Sequence, residues 1–362
     1  MRRSDLSPSE RTHFDRREFI KYFTIGSAVA TAGMIGPGLV SAVPAPAFRE
    51  RSRVALATGT DRRQMVQEIM APWRDQLREQ MRGKQVIIKP NMVVTNVPLC
   101  ATHADALRGV LDFIKPLHDG QVIIAESSAS GGGALQGFEN YGYLPLEKEY
   151  GVKFIDLNTE PPKDFMILGN DLHPLKIQVC GRYLDPNNFI ISVTRLKTHD
   201  RAVVTLGTKN IAMSAPYKTL DGAANPLNWK RAMHGIDTHW TNYNLYQVIQ
   251  SIRPQFSVIE SVVGMQGNGP ASGFEMEHGV ALAGDDFVAV DSIGAQLMGV
   301  DLENVGVLNY LGDANVGIAD RARIDIVGGK DPAKFVKKYQ MHDTYQRQLV
   351  WKDALPLQTP QP

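Results

Sequence analysis

The chain has 362 residues, of which 43% are hydrophobic and 21% charged, with 39 Lys and Arg set against 38 Asp and Glu. This composition excludes a disordered or fibrous chain and leaves room for one large α/β domain or two ordinary ones. A net charge of +1 speaks against a nucleic-acid binder, which carries a basic excess; two cysteines, Cys100 and Cys180, are too few for a disulfide scaffold or an all-cysteine iron–sulfur cluster.

Residues 1–47 read as a targeting segment. Arg16 and Arg17 precede Phe19, a mildly apolar glycine-containing stretch runs from Tyr22 to Val43, and Ala45-Pro46-Ala47 supplies a small-x-small cleavage site. In that order these features resemble a twin-arginine (Tat) export signal. The expected partner during export is the Tat translocase, and the expected location is periplasmic or otherwise outside the cytoplasm. An uncleaved membrane anchor is the competing reading, because about 20 mostly apolar residues can just span a bilayer.

Residues 48–83 form an N-terminal segment expected to be helical in its middle, where Met65, Ile69, Trp73, Leu77 and Met81 recur every four residues. An α/β domain is expected over 84–330. Val86-Ile87-Ile88-Lys89 reads as a buried strand closed by Pro90. Thr102-His103-Ala104-Asp105 has the form of a capping box opening a helix to about His118, and Val122–Ala125 is the next strand. Strand, helix and strand of these lengths imply a βαβ unit and a parallel sheet. Further strands are expected at 153–157, 188–193, 256–262, 279–283 and 324–327, with helices at 143–150, 245–252 and 287–298. The irregular stretch from Leu206 to Thr241 reads as a functional loop. Residues 331–362 are expected to be a helix followed by a disordered tail. The fold class is α/β, a mostly parallel or mixed sheet flanked by helices, in one body or in two lobes with a cleft between them.

Polar residues crowd at the carboxyl ends of the expected strands, where open α/β sheets place their sites. Lys89 and Asn91 close the first strand of the domain and could hold an anion. Glu126-Ser127-Ser128 closes the next, ahead of Gly131-Gly132-Gly133. The densest cluster runs from Arg195 through Lys197, Thr198 and His199 to Lys209 and Asn210. Neighbouring lysines lower one another's pKa, which suits a base or nucleophile, and an imidazole can shuttle protons. Lys197, His199 and Lys209 are therefore the expected catalytic groups. Lys89, Asn91, Ser127, Thr198, Asn210, Asn268 and Gly269 are the expected ligand contacts, the last two from the permissive stretch Gly264–Pro270. Asp286 and Asp291 are either helix caps or holders of a divalent metal. His234 and His239, five apart, do not share a helical face.

The motifs Ile88-Lys89-Pro90-Asn91, Thr102-His103, Leu196-Lys197-Thr198-His199, Leu206-Gly207-Thr208-Lys209-Asn210, Gly267-Asn268-Gly269-Pro270 and Ala289-Val290-Asp291 stand in order. Together they resemble the domain of unknown function 362 family over about Lys84 to Gly329. That resemblance implies an α/β architecture and, in some members, iron–sulfur domains or Tat export. The two cysteines remove a ferredoxin-type cluster here, and Gln266 replaces a carboxylate more usual in the family. The expected function is an exported enzyme acting on a small anionic or carbonyl-bearing molecule by Lys/His acid–base chemistry, with metal assistance as an option. The alternative is a non-catalytic ligand-binding or cofactor-maturation protein of the cell envelope.

Overall fold

A computed structural model describes residues 49–353. The stretch read as an export signal, its expected cleavage site and the residues after Asp353 lie outside the described residues. No helix among those described is long and apolar enough to cross a membrane.

A single continuous sheet organises the protein, not two lobes. Its main path runs β12-β1-β11-β10-β7-β2-β3-β4. These strands are β1 (Ser52–Thr58), β2 (Gln85–Pro90), β3 (Ile123–Glu126), β4 (Lys153–Asp156), β7 (Asn188–Thr194), β10 (Phe256–Asn268), β11 (Ser272–Gly284) and β12 (Ile324–Val327). Every neighbouring pair on this path is parallel except the two that involve β11. Two additions were not expected from sequence. Pro162–Leu168 (β5) and Pro174–Cys180 (β6) form a separate hairpin, and the short strands Lys197–Thr198 (β8) and Val204–Thr205 (β9) hang from β10.

Strand interiors alternate between two apolar layers. Ile87, Ile190, Ile259 and Leu282 face one layer, whereas Val86, Ile88, Ile191, Val258 and Ala281 face the other. Period-two alternation with both faces covered is what strands this rich in Ile and Val require. The first layer is closed by α6 (Gly207–Ala212), α8 (Thr238–Ser251) and α10 (Gly306–Asp313). The second is closed by α1 (Arg62–Met70), α2 (Arg74–Met81) and α3 (Ala104–Ile114).

The spacing-four pattern of 65–81 is helical but interrupted: Pro72 sits in a 3-10 turn at Ala71–Trp73 that separates α1 from α2. The segment 48–83 also contains a strand that its helical reading lacked, since β1 lies inside the main sheet between β11 and β12. Thr102 is not the cap of α3. The His103 ring accepts from the Asp105 amide at 3.1 Å, while Thr102 Oγ1 donates to Val193 O at 2.7 Å and accepts from Asn91 N at 2.8 Å. After Asp331 the chain forms short turns of helix at Pro332–Phe335, Tyr345–Gln348 and Leu349–Lys352 rather than one helix.

Candidate functional site

From β2 the chain steps outward through β3 to β4, then returns to the far side of β2 with β7 and continues to β10. The order of progression therefore reverses between β2 and β7. Flanking loops diverge at such a reversal and leave a crevice at the carboxyl ends of the strands. Lys89 and Asn91 end β2, Glu126 ends β3, and the segment after β7 carries Arg195 to Asp200.

Four of the expected residues meet here. Lys89 Nζ donates to Glu126 Oε2 (2.7 Å), Asn210 Oδ1 (2.9 Å) and Pro90 O (2.6 Å). Asn91 Nδ2 donates to the same Asn210 oxygen at 3.0 Å. Lys197 Nζ donates to Asn91 Oδ1 (2.8 Å) and Cys100 O (3.0 Å). Asn210 Nδ2 returns bonds to Lys89 O and Ser192 Oγ at 3.1 and 3.0 Å. Ser127 joins at the edge: its amide donates to Glu126 Oε1 at 2.7 Å, and its hydroxyl accepts from Lys230 Nζ at 2.9 Å. All of these side chains are buried.

Burial is the dominant electrostatic fact. It pushes the Lys89 ammonium down and the Glu126 carboxyl up, each towards neutrality and against the attraction between them. Burial also lowers Lys197 to about 7, with the charges of Lys209 and Arg195 pushing the same way. Lys209 falls to about 8, first through burial and then through Lys230, while Asp200 opposes the fall. Lys230 likewise falls to about 8 through burial, opposed by Cys180 and Glu126. Desolvation thus outweighs the lysine–lysine repulsion expected from the sequence.

Lys209 differs from its neighbours. The residue is buried, and its ammonium makes no hydrogen bond or ion pair with any described residue. Around it stand His199, Asp200 and His234, which act on one another through their charges. His199 is lowered to about 3 by burial and by Lys209, and His234 to about 4 by the same two causes. His199 Nδ1 stands 2.8 Å from Asp200 Oδ1 and 2.9 Å from the Arg201 amide. The two contacts require opposite proton states; the shorter, charge-assisted one places the proton on Nδ1 and leaves Nε2 unprotonated. His234 Nδ1 is buried without a partner among the described residues.

Other expected residues lie elsewhere. Thr198 Oγ1 donates to Gly267 O at 2.9 Å and so ties β8 to β10. A Cβ on Gly269 would stand 2.1 Å from Thr198 O, so this glycine permits close packing. Asn268 exchanges bonds with Asp343, to its carboxylate at 2.9 Å and from its amide at 3.1 Å, pinning the C-terminal segment. None of the three reaches the lysine network. His239 is held between Asp237 and Asp353 O and does not pair with His234.

The carboxylates expected as metal holders are helix caps. Asp286 Oδ1 accepts from Val288 and Ala289 amides, and its Oδ2 accepts from Ser52 Oγ and the Ile318 amide. Asp291 accepts from the Gly207 amide at 2.8 Å and the Thr208 amide at 2.7 Å. All four oxygens are occupied, and among the described residues no group of three or more His, Cys, Asp or Glu gathers to hold a metal. Asp291 instead fixes α6, which carries Lys209 and Asn210. Asp291→Asn should cost about 1–2 kcal/mol in chemical denaturation, because an amide keeps one acceptor oxygen and loses the other. A loss below measurement error would remove Asp291 from this positioning role.

Sequence reading overlooked Lys230 and weighed His234 only against His239. Both fall in the irregular stretch between Leu206 and Thr241, where no periodicity marks a direction. Cys100 and Cys180 are separate buried thiols.

Fold and site together define an α/β protein whose mostly parallel sheet is covered on both faces and carries a cationic cluster at its strand-order reversal. The family described as Domain of unknown function (DUF362) matches residues 86–296, and the chain belongs to it. Thylakoid-associated protein sll1697 of Synechocystis sp. is 24% identical over 221 residues, covering 60% of this chain and 64% of its own. The chain thus spans less than two thirds of that relative. Among solved structures, the lactate racemase apoprotein from Thermoanaerobacterium thermosaccharolyticum resembles 68% of this chain over 56% of its own, at 15% identity and a TM-score of 0.38. A protein from Thermotoga maritima resembles 60% over 55%, at 11% identity and a TM-score of 0.35. Likenesses this shallow say nothing about chemistry.

Proposed function

We propose that the protein is an enzyme for a small carbonyl-bearing anion, with Lys209 as the reacting amine and His199 as the proton carrier. One observation carries the reading: among the described residues the buried Lys209 has no hydrogen-bond or ion-pair partner, and neither has Nδ1 of His234, on which its charge acts. Lys89, Lys197 and Lys230 already have acceptors, so their part is to keep the crevice positive. With its pKa near 8, Lys209 is partly neutral at physiological pH. A neutral amine adds to a carbonyl carbon, and loss of water then leaves an imine. His199 Nε2 is the group suited to take and return the proton in those steps. Lys197, expected as catalytic, becomes a positioning residue for Asn91. The twin-arginine motif supports a site of action outside the cytoplasm.

The reading is tested with pyruvate, which is both anion and carbonyl, and cyanoborohydride to reduce any imine. Peptide mapping by mass spectrometry should find Lys209 modified ahead of the exposed lysines Lys148 and Lys153, and His199→Ala should slow that labelling. Labelling that follows surface exposure and spares Lys209 would sink the proposal. The complete burial of the network favours one second reading, a ligand carrier. It would show stoichiometric bound pyruvate with no covalent adduct.

A further inference from the structure

The hairpin that carries His199 is completed by a side chain from far along the sequence. His199 follows β8 and Val203 precedes β9, so the two residues face each other across the turn. Residues opposed at a hydrogen-bonded position of an antiparallel pair exchange two backbone bonds. One forms here, from His199 N to Val203 O at 2.9 Å. In place of the other stands Gln348: Val203 N donates to its Oε1 at 2.7 Å, and its Nε2 donates to His199 O at 2.8 Å. A carboxamide has an acceptor end and a donor end, so it fills the gap as an inserted peptide group would, and these two partners fix which end is which.

Gln348 is 2% exposed, so its contacts are shielded from water. Its Nε2 also donates to Thr344 Oγ1 at 2.9 Å, and Thr344 Oγ1 donates to Asp200 O at 3.0 Å. Its own carbonyl accepts from Thr238 Oγ1 at 2.9 Å, at the start of α8; in the same first turn Thr241 Oγ1 donates to His234 O at 3.0 Å. The segments bearing His199 and His234 are thus both tied to the region around Gln348. Val203 has φ +63°, which a β-branched residue rarely adopts and surrounding contacts must hold. Gln348 lies beyond residues 86–296, the stretch that matches the family.

We propose that Gln348 is a positioning residue for the proton carrier: its carboxamide sets the turn from His199 to Val203, and with it the aim of the His199 ring and its Asp200 partner. This role rests on the reading of His199 as the proton carrier, while the placement itself is measurable without turnover. Without the carboxamide, the buried Val203 amide and the buried His199 carbonyl lose their partners. They regain partners when the turn opens to water, and that movement exposes His199, which is 4% exposed in the native protein.

The test is carbethoxylation of the full chain by diethyl pyrocarbonate, which marks accessible neutral imidazoles, followed by peptide mapping. The exposed His173 sets the reference rate. His278 reports on attachment of the C-terminal segment, because its ring contacts Tyr339 Oη at 3.0 Å and Phe335 O at 2.8 Å. In Gln348→Leu the leucine fills the space and keeps the two sides of the turn apart. His199 should then be marked about tenfold faster than in the wild type, as loss of one buried hydrogen bond predicts for a local opening, while His278 stays protected. If Gln348→Leu does not fold, Gln348→Glu keeps an acceptor for Val203 N, turns a second oxygen toward His199 O, and should give the same selective rise. Two outcomes would overturn the assignment: His199 as protected as in the wild type, or His278 released along with it, which would make Gln348 a packing residue of the whole segment. In the cyanoborohydride assay Gln348→Leu should slow Lys209 labelling, and Gln348→Leu with His199→Ala should be no slower than His199→Ala alone. Additive losses would also overturn it. If the wild type forms no Lys209 adduct, the imine reading fails, and the His199 rates still decide the part of Gln348.

Discussion

Replacing Glu126 with glutamine is expected to destabilise the fold by about 3–5 kcal/mol in chemical denaturation. Lys89 is 1% exposed and Glu126 2%, and their 2.7 Å contact is sealed from water. Removing the carboxylate leaves an ammonium with only neutral acceptors, Asn210 Oδ1 and Pro90 O. The attraction that offset its desolvation is then gone. Changing both partners, Lys89→Met with Glu126→Gln, should recover most of the loss, since no unpaired charge remains. A single-variant loss under about 1 kcal/mol would show that Lys89 is already neutral in the native protein and that the pair is an ordinary hydrogen bond.

Stability should climb through the alkaline range instead of peaking near neutrality. Lys197 has an ordinary pKa of 10.5 and about 7 in the fold. Between those values the unfolded chain holds a proton that the native chain has released, so raising the pH favours the native state. Below about pH 7 both states are protonated and the full burial penalty is present. From there to about pH 9.5 the relief from Lys197 alone amounts to about 3 kcal/mol. Lys209 and Lys230 add in the same direction from about pH 8. The buried tyrosines, whose hydroxyls are pushed up by desolvation, reverse the trend once unfolded tyrosine ionises. Urea denaturation across this range should show the rise, and Lys197→Met should remove about 3 kcal/mol of it. A flat profile in the wild type would mean that water reaches these lysines.

Much of the sheet was legible because its strands are short apolar runs that end at a proline or a polar residue. Gln85–Pro90, Ile123–Glu126, Lys153–Asp156 and Asn188–Thr194 fall where those runs predicted. The strand Ser52–Thr58 was not legible, since Arg53 and three alanines or threonines give it little apolar weight. Its burial comes from partners more than two hundred residues away. The same limit governed the site. Lys89, Asn91, Lys197 and Asn210 could be gathered because each follows a recognisable strand or sits in an ordered motif. Lys230 and His234 arrive from a segment whose path is set by the surface it covers. Asn268 misled because a glycine-rich tip resembles a ligand loop whether it meets a ligand or, as here, another part of the chain.

Strand Ser52–Thr58 has a further consequence. It lies between Ser272–Gly284 and Ile324–Val327, so the first described strand finds its hydrogen-bonded strand partners only among the last. Nascent protein leaving the ribosome must hold that piece unmatched until nearly everything else has been made.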